Sequence, residues 1–498
     1  MLPAAVYSTQ QVRQIDQFAI HELGIEGYEL MARAADAALR QLRQRWPLAR
    51  RIAIVCGSGN NGGDGYVLGR LAQSQGLVVD VCAAVDPARL AGDAARACAD
   101  FTAAAGHVVA FDAGVLRRAH VVVDGFLGTG LADELRADAK ACIAAINASR
   151  RPVLSLDLPS GLDGDSGRDH GAAVLADCTV TFVALKAGLF LGDGPQFTGD
   201  LALASLGIDV PDRPQFHPIL RRVVARDLSQ RLQPRPRRAH KGQSGRALIV
   251  GGGPGMPGAA RLAGEAALRC GAGLVVVAAA PESTAAIAAG SPELICRATS
   301  DPGQLRDLID AADVIGVGPG LGQSAWSRAL LDEVLASDKP LVVDADALNL
   351  IASSGARRRE RWILTPHPGE AARLLDVTAA QIEADRVAAV RELHARYGGV
   401  IALKGAGTLI AEAGEVMHIC DLGNPGMATA GMGDVLTGAI AGLLAQLKEC
   451  GWAARLGVYA HAAAGDLAAG DRPRGLMASD LLLPLRQVVN PLEGVRPS

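Results

Sequence analysis

Short apolar runs alternate with longer stretches of helical spacing along this chain, stop, and then alternate again. In the first half the runs are RIAIVC (51–56), LVVDVCAAV (77–85), HVVVDGF (120–126), PVLSLDL (152–158) and CTVTFVAL (178–185). Each is strand-sized, and the segments between them are long enough for crossover helices, so the pattern predicts a mostly parallel α/β sheet. Ahead of them, residues 8–42 read as two helices, with Ser8 the N-cap of the first. From Val210 to Lys241 the chain turns Pro- and Arg-rich and loses its period, which places a domain boundary near Arg226. The alternation restarts with RALIVGGG (246–253), GLVVVAAA (273–280), DVIGVGPG (313–320), PLVVDADAL (340–348), WILTPH (362–367) and VIALKGAGTLIAEAGEV (400–416), the last read as a hairpin. The chain closes on an apolar helix carrying Val435, Leu436, Ile440, Leu443, Leu444 and Leu447, with Gly451 expected at its C-cap. The two halves are not copies of one repeat. Two different α/β domains are expected, residues 1–215 and 242–498, joined by a linker over 216–241.

Composition narrows the partners. Aromatics are 3% of the chain while glycine occurs 59 times, which suits close helix-on-sheet packing better than an all-β sandwich. A net charge of −3 gives no electrostatic reason to expect nucleic acid or an anionic membrane. The one basic cluster, RPRRAHK (235–241), falls in the expected linker and reads as a solvated segment. Nine cysteines are scattered without a C-x-x-C, as buried thiols of a reducing compartment would be. The first residues have no basic segment leading into an apolar core, and no apolar run approaches the ~18–20 residues of a membrane span. A cytoplasmic protein is expected.

In an open parallel sheet, ligands bind beyond the carboxyl ends of the strands. Three such ends in the first half carry polar loops: GSGNNGGDG (57–65), DGFLGTGLADE (124–134) and DLPSGLDGDSG (157–167). Gly57, Gly59 and Gly62 spell G-x-G-x-x-G after a strand, and Asp80 stands after the second strand, so a nicotinamide dehydrogenase is one reading. That reading does not explain Asp64, Asp124 and Asp157 around one crevice, because clustered carboxylates repel a pyrophosphate unless a cation or base compensates. The Asn, Asp and Ser oxygens are hard donors suited to K⁺, Mg²⁺ or Ca²⁺, and the glycines admit backbone amides to a phosphate.

GNNGGDG, DGFLGTGL and DLPSGLDGDSG, in that order after a leader containing GYELMARAA, resemble the NAD(P)H-hydrate epimerase domain over roughly residues 8–210. The resemblance implies a Rossmann-like fold that binds a damaged nicotinamide nucleotide, hydrated at C6 of its ring. It further implies that Asn60, Asn61, Gly62, Gly63 and Asp64 contact that substrate, together with Gly128, Thr129, Gly130, Leu131, Ala132, Asp133 and Glu134. Asn61, Asp124 and Ser160 are implied ligands of K⁺, and Asp157 the acid/base that interconverts the R and S epimers. A carboxylate can take and return the necessary proton. The leader departs from the family pattern, with LMARAAD where LMENAG is expected.

In the second half, GGGPGMPG holds another formal G-x-G-x-x-G at Gly253, Gly255 and Gly258, but its prolines make a poor dinucleotide turn. GNPGMATAGMGDVLTG is more informative. Gly431, Met432, Gly433 and Asp434 open the apolar helix, so free amides there form an anion hole for a transferring phosphoryl group. Asp434 can accept a proton from an attacking hydroxyl. Lys404, with the flexible turns of KGAGT (404–408), suits a nucleotide, and TPHPGE (365–370) and GVGPGLG (316–322) add polar strand ends.

With HKGQSGRALIVGG, MPGAARLAG, VVDADALN, LTPHPGE and LKGAGT, this set resembles the ribokinase-like fold, and within it the ADP-dependent NAD(P)H-hydrate dehydratase, from about Asp227 to Pro491. The resemblance implies that the hydrated nicotinamide lies near Ala259, Gly320, His367 and Asp434, and the adenine nucleotide near Lys404, Gly405, Ala406, Gly407, Thr408 and Gly433. ADP with Mg²⁺ would phosphorylate the C6 hydroxyl, and loss of phosphate would regenerate NADH or NADPH. The two three-layer α/β/α domains then fit one repair pathway, in which R- and S-NAD(P)HX interconvert and the S form is dehydrated. The family also implies a homo-oligomer. The alternative is a ribokinase-like small-molecule kinase fused to a nucleotide-binding scaffold domain.

Overall fold

The computed structural model describes residues 2–130, 134–355 and 358–490. The chain divides into two compact units, Met1–Leu220 and Arg221–Ser498. In the first, the Gln11 amide donates to Ser8 Oγ (3.1 Å) while the Ser8 amide donates to the Gln11 side chain (3.1 Å). This reciprocal cap starts the helix Thr9–His21, and Gly27–Arg45 follows as the second leader helix.

The first unit's main sheet runs in the order His107–Ala110, Val78–Ala83, Arg51–Cys56, Val121–Gly125, Val153–Leu156, Cys178–Phe182, Asp200–Ala204, every neighbouring pair parallel. The two outer strands, HVVA and DLALA, are absent from the apolar runs because an edge strand is only half-covered and needs no continuous apolar stretch. Alternation does the rest. Ile52, Ile54 and Cys56 pack with the leader helices, while Ala53 and Val55 pack on the opposite face with Val115, Leu116, Ile143 and Ile146. The sheet is thus covered on both sides, in three layers.

The second unit repeats the architecture, not the details. Its strands run Ile295–Ala298, Leu274–Ala279, Arg246–Val250, Val314–Val317, Leu341–Val343, Trp362–Leu364, Val400–Leu403, then antiparallel through the hairpin Thr408–Ala411 and Met417–Cys420. Pro257 does not spoil the turn after the first strand. It occupies the start of the helix Pro257–Arg269, where a missing amide costs nothing. The helix Met432–Leu447 ends with Lys448 in the left-handed conformation, so Gly451 is not its cap. Gly451 lies instead inside a further helix, Cys450–Ala469, so the chain does not close where the sequence pattern suggested. Met432–Leu447 packs on Pro257–Arg269 at backbone contact: a Cβ at Gly438 would fall 2.0 Å from the Ala263 carbonyl.

The segment expected as linker carries the short helix Ala225–Arg231, and Arg222 donates to Asp421 Oδ2 (2.6 Å) within the second unit. All nine cysteines are free thiols, seven of them buried. Among the described residues no helix is long and apolar enough to cross a membrane.

Candidate active sites

In each unit one long strand, Arg51–Cys56 in the first and Arg246–Val250 in the second, is central, and the chain leaves it first to one side and then to the other. The crevice at that reversal is where open α/β sheets bind ligands. In the first unit, Gly57 passes so close to the Phe126 carbonyl that a Cβ would lie 1.8 Å from it, whereas a Cβ at Gly59 would meet open space. Asn60 to Asp64, expected as a loop, are the first turn of the helix Asn60–Ser74. Its leading amides lack helical acceptors, which makes a ready anion site.

Three residues implied for K⁺ meet around one peptide. Asn61 Nδ2 donates to the Leu127 carbonyl (2.8 Å), and the Leu127 amide donates to Ser160 Oγ (2.8 Å). Ser160 Oγ donates to Asp124 Oδ1 (2.5 Å), and Asp124 also accepts from the Ser160 amide (2.9 Å), Ser155 Oγ (2.8 Å) and the Phe126 amide (3.3 Å). Burial pushes the Asp124 carboxyl up, against those hydrogen bonds. Asn61 Oδ1 is buried without a partner. Among the described residues no three His, Cys, Asp or Glu side chains converge as metal ligands. A cation here would rest on the Asp124 carboxylate with amide and hydroxyl oxygens of Asn61 and Ser160, and the orphaned Asn61 oxygen fits such a hard ion.

Asp157 follows its strand with φ at +65°, which Asp tolerates better than most residues. Its Oδ1 accepts from Lys186 Nζ (2.6 Å), the Phe182 amide (3.1 Å) and Thr181 Oγ1 (3.3 Å). Lys186 is 1% exposed and also donates to Thr181 Oγ1 (3.0 Å) and the Phe182 carbonyl (3.0 Å). The turn that aims this carbonyl holds Val183 at φ +66°, a costly conformation for a β-branched residue. Lys186 escaped the sequence reading. Its one signal is a charged residue closing an apolar run. Burial, then the charges of Asp157 and Asp16, push the Asp64 carboxyl well above the usual range.

The remaining first-unit residues scatter more. Gly128 lies against Asn61, since its Cβ would sit 3.2 Å from the Asn61 Cβ. The Thr129 carbonyl accepts from Arg13, and Glu134 is exposed and paired with Lys140 (2.7 Å). Leu131, Ala132 and Asp133 lie outside the described residues. Asp80 is mid-strand, bonded to Arg51 (2.8 Å) and to the ring of His107 (3.2 Å), so it does not stand at a strand end as a ribose-binding acid would.

In the second unit, the first turn of Met432–Leu447 is built against a buried ion pair. Lys404 Nζ donates to Asp344 Oδ1 (2.6 Å), and Thr437 Oγ1 donates to Asp344 Oδ2 (2.8 Å). Glu370 lies 3.7 Å from the same ammonium. A Cβ at Gly433 would stand 3.3 Å from the Asp344 carboxylate and 3.4 Å from Lys404 Nζ, so the helix start lies directly on the pair. Burial alone would depress the Lys404 ammonium, but Asp344, Glu370 and Asp434 together hold it raised. Burial and then repulsion from Asp344 push the Asp434 carboxyl up to about 7, against the pull of Lys404.

Ala259 and Gly320 come together: a Cβ at Gly320 would lie 3.0 Å from the Ala259 methyl. His367 caps the helix Pro368–Leu375, with Nδ1 accepting from the Gly369 amide (3.0 Å), and its side chain is 51% exposed. Residues 404–408 form the turn between the strands Val400–Leu403 and Thr408–Ala411. Buried Arg386 lies beneath that turn, donating to the carbonyls of Leu403 (3.4 Å), Lys404 (3.3 Å) and Gly407 (3.4 Å). Arg386→Ala is expected to loosen the turn and destabilise the second unit by about 1–3 kcal/mol, since it leaves carbonyls of the turn without their charged donor. Thermal unfolding would measure it.

A family profile described as NAD(P)H-hydrate dehydratase matches residues 247–486, and one described as YjeF-related protein N-terminus matches residues 27–188. The chain is 45% identical over 487 residues to the bifunctional NAD(P)H-hydrate repair enzyme Nnr of Coxiella burnetii, covering 98% of this chain and 99% of that one. It is 43% identical over 492 residues to the enzyme of the same name from Escherichia coli, covering 98% and 95%. The chain belongs to the bifunctional NAD(P)H-hydrate repair enzymes. A solved ribokinase-like superfamily protein from Enterococcus faecalis, 31% identical, overlays with a TM-score of 0.50 on 53% of this chain and 94% of its own. The dehydratase profile falls within the second unit and the N-terminal profile within the first.

Proposed function

We propose that the first unit interconverts R- and S-NAD(P)HX around Asp157, and that the second dehydrates the S form through a phosphate ester made on Asp434's initiative. The observation that most supports this reading is Asp434 itself, a half-buried carboxyl pushed up to about 7 beside the Lys404–Asp344 pair, at a helix start with free amides. It takes the proton of the C6 hydroxyl as that oxygen attacks the terminal phosphorus of ADP, and the bridging P–O bond breaks to release AMP. The amides of the Gly431–Asp434 turn receive the charge developing on the phosphoryl oxygens. Lys404 balances the charge of Asp344 and offers its remaining protons toward the nucleotide. Ala259, Gly320 and His367 border the hydrated ring, and residues 404–408 with Gly433 border the nucleotide. Mg²⁺ bound with ADP supplies charge neutralisation on the phosphates. No carboxylate cage gathers there among the described residues, which suits an ion held largely by phosphates and water. The C6–O bond of the ester then breaks, phosphate leaving far more readily than hydroxide, and loss of a proton from C5 forms the C5=C6 double bond of NADH or NADPH.

In the first unit, Asn60 to Asp64 and Gly128 to Glu134 hold the nucleotide, and the Lys186 ammonium, 2.6 Å away, keeps Asp157 in place. K⁺ at Asn61, Asp124 and Ser160 supplies local positive charge that offsets the carboxylates facing an anionic ligand. A cytoplasmic homo-oligomer without nucleic-acid or membrane partners completes the reading.

The test follows NADH absorbance from a mixture of R- and S-NADHX with Mg²⁺, K⁺ and either ADP or ATP. Recovery of both epimers is expected in two phases, a fast one for S and a slower one for R. Asp157→Ala should leave only the fast phase, and exchange of K⁺ for Li⁺, or Asn61→Ala, should slow the second phase alone. No recovery with either nucleotide would sink the reading in favour of a small-molecule kinase.

A further inference from the structure

The leader helix Thr9–His21 borders the first crevice, although the matched family profile begins only at residue 27. Two hydrogen-bonded tethers fix it there. Thr9 donates through its amide (2.6 Å) and its hydroxyl (2.7 Å) to the Asp165 carboxylate, in the loop that follows Asp157. Arg13 donates to the Thr129 carbonyl, in the loop that follows Asp124. Residues 9, 13 and 16 fall on one stripe of a helix, so the side of the helix that holds both loops also carries Asp16. Val12, Ile15 and Ala19 bury the adjoining stripe in the core, which fixes the rotation of the helix. Asp16 is half-buried, and the groups facing it from packed elements are the Lys186 ammonium and the carboxylates of Asp157 and Asp64.

Inverting C6 of the hydrated ring calls for two proton-transfer groups. One face must lose its hydroxyl as water, so a proton is delivered there. The lone pair of N1 forms the C6=N1 bond as the C6–O bond breaks. Solvent water then adds to the opposite face of C6 and gives up a proton there, so that atoms and charge balance. Asp157, held in place by the Lys186 ammonium (2.6 Å), fills one of these positions. We propose that Asp16 fills the other, acting across the ring from Asp157 as the second acid/base group of the epimerase. The inference rests on the reading of Asp157 given above.

Asp16 suits the exchange chemically. Burial first, and the Asp157 charge against the pull of Lys186, raise its carboxyl to about 6. A carboxyl near 6 can both give and take a proton around neutral pH. Asp64 is set deeper, buried in the first turn of its helix.

The test uses the full chain with R-enriched NADHX, ADP, Mg²⁺ and K⁺, following NADH absorbance across pH 5 to 9. In Asp16→Asn the fast S phase should stay within about twofold of wild type, while the R phase slows about 100-fold toward the uncatalysed rate. The wild-type R phase should break near pH 6, and the break should vanish in Asp16→Asn and return, displaced, in Asp16→Glu. An R phase of wild-type rate and profile in Asp16→Asn overturns the proposal, and so does slowing with the break preserved, which is what a structural role would give. An unchanged R phase in Asp157→Asn overturns the epimerase site itself, and Asp16 with it. Loss of the break in Asp16→Asn alongside a silenced Asp157→Asn supports both.

Discussion

Asp434→Asn is expected to cut NADH recovery from S-NADHX by about 10²–10⁴-fold, the usual worth of a positioned general base. Asparagine keeps the size and the place at the helix start but cannot take a proton, so nucleotide affinity should change little. The wild-type pH profile gives the independent check. Asp434 works ionised, and its carboxyl stands at about 7. The dehydration rate should therefore be full above that value and fall as pH drops through it. Lys404 lowers the same carboxyl, so Lys404→Met should move the break to higher pH as well as slow the reaction. A break that stays in place would separate Asp434 from the rate. Flat profiles in both proteins would remove it from the chemistry.

The largest expected effect on stability belongs to Lys186→Met. The ammonium is 1% exposed and lies among the Asp157 carboxylate, a threonine hydroxyl and backbone carbonyls. Methionine fills the volume but leaves the part-buried Asp157 carboxylate, 17% exposed, without its cation, and breaking one side of such a pair costs roughly 3 kcal/mol, the low end for a buried pair. In a unit of this size that corresponds to a fall of about 10 °C in the melting temperature of the first transition. Pairing it with Asp157→Asn removes the stranded charge and should recover much of the loss, while the R phase stays silent. Thermal unfolding of the single and double variants, followed by calorimetry, separates the two effects. If the single variant melts like wild type, the ion pair carries no net stability.

The sheets and the helices over them were legible because burial on both faces forces continuous apolar runs on a central parallel strand. The edge strands His107–Ala110 and Asp200–Ala204 were not, for the same physical reason: half-covered strands need no such runs. At the sites, the glycine-rich strand ends were legible, since close backbone approach demands that residue. Their conformation was not, and the first turn of Asn60–Ser74 passed for a loop because its glycines carry no helical signal. Asp16, Lys186, Asp344 and Arg386 lie far along the chain from the motifs they complete. A single charged residue in an amphipathic helix or at the end of an apolar run has no local pattern, and only the fold gives it a partner.

Asp466, late in the helix Cys450–Ala469, accepts from the Gly423 amide (3.0 Å) and from Asn424 Nδ2 (2.9 Å), at the head of the loop that leads to Asp434. A ribosome releases that helix after everything else the second site needs. Nascent chains arrested shortly after residue 448 would hold the whole parallel sheet and the phosphoryl-binding turn, yet lack the clasp that sets the turn's approach. The second unit is accordingly expected to become competent late in synthesis, once Cys450–Ala469 has delivered both its core side chains and the Asp466 clasp.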